Sequence, residues 1–515
     1  MMNRIVKSFF VLFLVAQVTF AQQSDIVNKI VAEGNDNSQL ENLAHQLMDV
    51  IGPRLVGTPQ MKAANDWAVN TYKSWGIEAK NEAWGKWRGW ERGISHIDMV
   101  SPRVVSLHGT QLAWSPPTPK NGTMAETITL PTVKDAQAFA SWLPNVKGKF
   151  VLVSMPQPTG RPDYNWQEFA TDESFAKMKK QREELTEQWS KNLENMGQGR
   201  DLNKVLEKAG AVGIVQSYWS KGFGANKIFS ANTDKIPVVD LSLEDYGLLY
   251  RLTEKGDKPV IKVMTQSKDL GVVPTFNTIA TIPGKELPNE YIVLSAHFDS
   301  WDGGTGATDN GTGTLTMMEA ARILKKVYPN PKRTIIIGHW GSEEQGLNGS
   351  RAFVEDHPEV IDGLQASFNQ DNGTGRVVDI SGQGFLNAYD YIGRWLEAVP
   401  SDITKHIETT FPGTPGGGGS DYASFVAVGA PAFSLSSLSW SYGTYTWHTN
   451  LDTYDKIVFD DVRNNAILTA ILAYKASEDA EKTSRVKSVL PLDKRTGEQM
   501  TWPVPRSPNR NGGQN

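Results

Sequence analysis

The chain has 515 residues, eight of them His and none Cys, and a formal net charge of -5 at pH 7. Disulfides, thiolate metal sites and a cysteine-linked lipid anchor are therefore excluded. With 39% hydrophobic and 21% charged residues, it reads as an ordinary globular protein, of about two to four domains by length, and no basic excess points to nucleic acid.

Arg4 and Lys7 precede an apolar run from Ser8 to Phe20, and small Ala21 precedes polar Gln22. This layout predicts a signal peptide over 1–21, cleaved near Ala21, because the run is short for a membrane span. The expected product is exported, to a periplasm or the outside, with no membrane span once the signal is removed.

Residues 24–105 begin with helical spacing at Ile30-Val31, Leu40, Leu43-Ala44 and Leu47-Met48. Gly52-Pro53 and Gly57-Thr58-Pro59 break it, the second leading into another helix. Trp84, Trp87 and Trp90 follow, read as edge packing. Residues 106–268 carry short apolar runs of strand type, Lys149 to Val153, Ala211 to Val215, Ile236 to Val239 and Val260 to Val263. Between them, 164–208 is a charged helical stretch, read as solvated.

From 269 to 486 buried-type strands alternate with helices. Tyr291 to Ala296, Arg333 to Trp340 and Ala366 to Phe368 read as strands, and Thr314 to Lys326 and Asp461 to Ala480 as helices. That rhythm implies an α/β fold with a mixed, centrally parallel sheet covered by helices. The tail, 487–515, is rich in Pro, Arg, Asn and Gly and is expected to be extended or disordered.

Ligands in such sheets sit outside the carboxyl ends of the strands. There the chain places His297-Phe298-Asp299, Glu343-Glu344 and Asp371, with Asp309 in a Gly-rich loop and His448 after a later apolar stretch. Two imidazoles with several carboxylates and no thiol suit a pair of Zn²⁺ ions. Such ions, about 3.5–4 Å apart, share a bridging carboxylate and activate a water. Adjacent side chains diverge, so one of Glu343 and Glu344 can bind metal while the other serves as general base. Asp299 can accept the free ring N–H of His297 and fix its tautomer. His339, inside an apolar strand, reads as a packed core residue.

Ser295-Ala296-His297-Phe298-Asp299-Ser300-Trp301-Asp302, Gly306-Ala307-Thr308-Asp309-Asn310-Gly311 and Trp340-Gly341-Ser342-Glu343-Glu344-Gln345-Gly346-Leu347 resemble the co-catalytic zinc aminopeptidase and carboxypeptidase family, above all its carboxypeptidase Q branch. Gly52-Pro53-Arg54-Leu55 resembles the family's amino-terminal signature, and Lys208 to Ile214 its protease-associated insert. The resemblance implies a zinc-exopeptidase fold interrupted by a β-rich insert, two Zn²⁺ per chain and a peptide substrate, and is compatible with a homodimer. It implies that His297 and Asp371 bind one zinc, Glu344 and His448 the other, and that Asp309 bridges them. Glu343 would be the general base and Asp299 would orient His297. Some relatives carry a Tyr directly before the last His ligand; here Trp447 stands there, with Tyr442 or Tyr445 as substitutes. The expected activity is removal of terminal residues from dipeptides or short peptides. The alternatives are an aminopeptidase of the same family, a single-zinc glutaminyl cyclase-like enzyme, and a catalytically silent binding module.

Overall fold

The computed structural model describes residues 25–513; the expected signal segment lies outside them. Among the described residues no helix is long and apolar enough to cross a membrane.

The centre of the molecule is a parallel sheet. Strand Leu287–His297 lies between Arg333–Trp340 and Leu364–Asn369, and Ala432–Ser437 follows on the far side of the latter. All eight positions of Arg333–Trp340 are buried, because helices cover both faces of the sheet. Helices Thr312–Val327 and Phe459–Glu478 pack together against this sheet. Burying one Ile, Val or Leu side chain stabilises by roughly 1.5–3 kcal/mol, so Ile292, Val293, Leu294, Ile335 and Ile337, all fully buried, fix the strands whose ends carry the site.

Helix Pro59–Ser74 begins where the Gly-Thr-Pro break predicts. Pro59 takes the first turn, where its missing N–H is no loss, and the Thr58 hydroxyl accepts from the Met61 N–H at 3.2 Å. His339 is buried in the core, where Nε2 meets the Tyr72 hydroxyl at 2.7 Å.

Two strands are unusually long. Glu78–Ser101 has 24 residues, Val260–Ile282 has 23, and they pair antiparallel along most of their length with four register shifts. One end of Val260–Ile282 pairs with Arg333–Trp340 and the other with Thr123–Thr129. Residue 269 therefore lies inside a strand, and the chain passes between the two units through a shared ribbon. The Trp residues sit along this ribbon: Trp84, Trp87 and Trp90 are buried with Leu55, Trp114 and Trp301.

Beyond Thr123–Thr129 the insert continues as parallel strands Phe150–Leu152, Gly213–Gln216 and Val238–Leu241. Their side chains alternate between two clusters, Val151, Ile214 and Val238 on one face and Phe150, Leu152, Val215 and Val239 on the other. The charged stretch forms helix Asp172–Met196, largely exposed. Asn192 docks it, accepting from the Val133 N–H and donating to the Pro131 carbonyl. The tail runs extended across the catalytic unit: the Trp502 indole donates to the Val426 carbonyl, and Asn511 and Gly512 pair with Lys86 and Trp87.

Asp240, on Val238–Leu241, is fully buried and accepts from the Tyr218 N–H and the Gln216 amide. Burial pushes its carboxyl from 3.8 up to about 8. Between these values the folded chain holds a proton that the unfolded chain releases. Its stabilising contribution is therefore complete below pH 3.8 and is lost as pH rises through about 8. Asp240→Asn is expected to flatten the fall of the urea midpoint between about pH 5 and pH 9; an unchanged pH profile would contradict this.

Candidate active site

The parallel strands end on one edge and deliver the expected residues there. His297 closes Leu287–His297, and Glu343 and Glu344 follow Arg333–Trp340 after a turn. Asp371 lies two residues past Leu364–Asn369, and Asp309 lies in the loop before helix Thr312–Val327. His448 arrives from the segment after Ala432–Ser437. His297, Asp309 and Asp371 form one cluster and Asp309, Glu344 and His448 a second, with the candidate ligand atoms of each within 4.8 Å of one another.

Asp309 belongs to both clusters. Its Oδ1 lies 3.5 Å from His297 Nε2 and its Oδ2 lies 3.5 Å from His448 Nε2. Asp371 Oδ1 stands 3.3 Å from His297 Nε2, and Glu344 Oε2 stands 2.8 Å from His448 Nε2. Glu343 points into the same cavity, of about 570 Å³, together with Tyr442 and Trp447.

Asp299 differs from the expectation. The His297 Nδ1 partner is the Asp299 backbone carbonyl at 2.9 Å, while the carboxylate lies 3.8 Å away. That carboxylate accepts instead from the N–H groups of Glu343 and Glu344, at 3.0 and 3.3 Å. Both functions fall to one residue, the carbonyl serving His297 and the carboxylate the neighbouring strand end. Asp299 thus ties two strand ends together.

Two further residues hold the site, neither assigned a role from sequence. Arg54 is fully buried, and its guanidinium donates to the carbonyls of Phe298, Thr305 and Gly306 at 2.7–2.8 Å. Burial draws it down to about 10, against the pull of Asp452, Asp299 and Asp309. Gly306 has φ +62°, and a Cβ there would meet Ser300 Cβ at 2.4 Å, so only glycine permits this loop. Asp452 accepts from the N–H groups of Thr308 and Asp309 at 2.8 and 3.0 Å. Arg54 sits in the amino-terminal signature. Asp452 lies four residues past His448, and nothing in its local pattern distinguishes it.

The site crowds negative charge. At about 4–5 Å and an effective dielectric near 20, two carboxylates repel by roughly 3–4 kcal/mol. Burial pushes Glu343 and Glu344 well above the usual carboxylate range, and neighbouring carboxylates add to it. Burial works against a proton on His297, yet Asp371, Glu343 and Asp309 hold it well above its ordinary range. Glu344 Oε1 and His448 Nδ1 are buried with no hydrogen-bond partner. A cluster that recruits protons, with hard and borderline donors and a carboxylate oxygen left over, fits divalent cations.

Residues 227–229 supply one wall. The Ile228 N–H donates to the His448 carbonyl at 2.7 Å, and Phe229 meets the His448 ring edge-to-face at 5.2 Å. The Lys227 ammonium stands 3.7 Å from the Trp447 ring centroid. Trp87, Trp114, Phe229 and Trp301 line a cavity of about 780 Å³ that also reaches Glu344, so of the three ribbon tryptophans Trp87 does more than pack an edge. Tyr442 hydrogen-bonds Asp309, whereas the Tyr445 hydroxyl pairs with Tyr164 at 3.2 Å. Of the two tyrosines, Tyr442 reaches the site.

The model of peptidase family M28 matches residues 277–473, which hold every one of these converging ligands. Over that segment the chain is similar to peptidase family M28. This metallopeptidase is 26% identical to carboxypeptidase Q of Mus musculus over 464 residues, 89% of this chain and 90% of that protein. Carboxypeptidase Q of Rattus norvegicus is 27% identical over 463 residues, 89% of each. Among solved structures, a peptidase M28 precursor from Shewanella amazonensis aligns with TM-score 0.65 and 23% identity, covering 90% of this chain and 98% of that one. A zinc aminopeptidase from Bacillus subtilis aligns with TM-score 0.55 and 19% identity, over 87% and 96%. These likenesses establish the M28 peptidase fold.

Because Asp452 orients the Asp309 backbone, Asp452→Ala is expected to weaken metal retention about 10- to 100-fold. Competition with a chelator measures this, and wild-type retention would refute it.

Proposed function

We propose that this metallo-exopeptidase is an exported dinuclear zinc enzyme that hydrolyses the peptide bond of dipeptides or the terminal bond of short peptides. The observation that carries the reading is Asp309, which presents one carboxylate oxygen to each of two histidine-carboxylate clusters. His297, Asp371 and Asp309 would hold one ion, and Glu344, His448 and Asp309 the other. Bound Zn²⁺ supplies Lewis-acid polarisation of a carbonyl and acidifies a water.

The chain's own residues do the remaining work. Glu343 takes a proton from the attacking water and delivers it to the leaving amine. Asp299 holds Glu343 and Glu344 by their backbones, which keeps base and ligand in fixed relation. The Tyr442 hydroxyl lies beside Asp309, and once its proton turns from that carboxylate it would donate toward an oxyanion. The 1–21 segment, with its basic start and apolar run, supports export. The similarity to carboxypeptidase Q along 89% of the chain supports short peptides with a free carboxyl end. A single-zinc cyclase needs neither His297 nor Asp371 as ligands, and a silent binding module needs no Glu343.

Glu343→Gln is expected to keep its metal and lose about 10²- to 10⁴-fold in kcat. Elemental analysis of the same preparation should give two zincs per chain, and chelation should abolish turnover until Zn²⁺ is restored. One metal per chain would favour the cyclase, and near-normal turnover by Glu343→Gln would remove it as the base. Processive cleavage of long peptides from a free amino end would move the enzyme to the aminopeptidases.

A further inference from the structure

Two guanidinium groups line the cavity that contains Glu343, His297 and Asp371: Arg351 and Arg506. Arg351 stands on helix Asn348–Asp356, which follows the Glu343-Glu344 turn. Arg506 stands on the carboxyl-terminal tail, about 150 residues away in sequence, and is exposed. They are close enough for each charge to oppose the other: burial and then Arg506 lower the Arg351 pKa, while Asp421 and Glu343 work the other way. Among the described residues neither guanidinium has a hydrogen bond or an ion pair. The acidic residues on the helix of Arg351, Glu355 and Asp356, are engaged by Arg510 instead.

Like charges brought together without a carboxylate bonded to either are unfavourable, and the fold holds them so. The tail is anchored on both sides of Arg506. Upstream, the Trp502 indole donates to the Val426 carbonyl at 2.8 Å, and Lys487 stacks on Trp502. Downstream, the Asn509 N–H donates to Asn348 Oδ1 at 2.8 Å, and Arg510 bonds the Trp84 carbonyl and Asp356. Gly417 and Gly418 form the facing side. A Cβ on either would meet nothing within 4 Å, so this side leaves room in front of the two cations.

We propose that Arg351 and Arg506 form a carboxylate-binding subsite that holds the free carboxyl terminus of the peptide, one residue beyond the scissile bond. The proposal rests on the exopeptidase reading above and gives it a polarity. The carboxylate of a dipeptide lies on the residue that leaves as the amine, and two guanidinium groups offer it planar paired N–H donors. The aromatic cavity of Trp87, Trp114, Phe229 and Trp301 also reaches Glu344, and it takes the side chain of the amino-terminal residue. A main-chain carboxylate and an acidic side chain share the same chemistry, so the test separates them.

The experiment compares the zinc-loaded full chain with Arg506→Gln and Arg351→Gln on three substrates: a neutral dipeptide, its carboxyl-terminal amide, and a dipeptide amide with Glu second. Wild type is expected to show a KM for the free acid about 10- to 100-fold below that for the neutral amide, the range of one or two charge-assisted hydrogen bonds. Each variant should raise the free-acid KM about 10-fold or more, with kcat, zinc content and amide kinetics unchanged. Arg506→Gln lies on an exposed position, so it keeps the test valid if Arg351→Gln fails to fold. Equal KM changes for acid and amide, or none for either, would overturn the subsite. Sensitivity confined to the Glu amide would overturn the main-chain assignment. Zinc-loaded wild type that cleaves none of the three would instead sink the exopeptidase reading itself.

Discussion

Buried carboxylates crowded around Asp309 set the terms for the rest of the molecule. Four acidic side chains and two imidazoles converge at one sheet edge, and such a group is tolerable only with cations among its members. The cost explains the scaffold around it. Arg54 spends its guanidinium on three loop carbonyls, and Asp452 spends its carboxylate on two N–H groups. Neither touches the cavity. Both pin the loop from Thr305 to Asp309, so that Asp309 cannot swing away from its like-charged neighbours.

The backbone around the site bears the same mark. His448, Ser342 and Asn372 all have left-handed φ, at 59°, 62° and 112°, which is uncommon outside glycine. Each lies at a turn that presents a ligand or flanks one. The strand ends beneath His297, Glu343 and Asp371 are buried, and their packing holds the turns in these conformations. A polar chain runs under the strand ends: Trp340 Nε1 and Asn369 meet at the Ser295 hydroxyl, and Asn369 continues to Ser420. It ties three neighbouring segments below the ligands they carry.

The central strands were legible because a sheet covered on both faces writes consecutive apolar residues rather than an alternation, as in Ile335-Ile336-Ile337. The candidate ligands were legible because they sit where those runs stop. Asp299 was legible only in part: its nearness to His297 could be read, but the reach of its carboxylate to two backbone amides of the next strand end could not. Lys227 and Phe229 were hidden because contact between the insert and the loop around His448 is a long-range event with no local pattern. Arg506 was hidden for a related reason. A segment rich in Pro, Arg and Asn looks alike whether it is loose or strapped across a protein, and only the anchors at Trp502 and Asn509 decide.

The paired strands Glu78–Ser101 and Val260–Ile282 belong to both halves of the molecule at once. The region they enclose is therefore not a cassette that can be cut out and replaced at a flexible joint. Its removal would strip the hydrogen-bonding edge from a ribbon and uncover the tryptophans beside it. Substitution of single side chains would leave this wall in place, but a wholesale exchange would have to rebuild the ribbon. The same continuity makes the wall a fixed template rather than a closing jaw: selection for a new peptide acts on its relief, residue by residue.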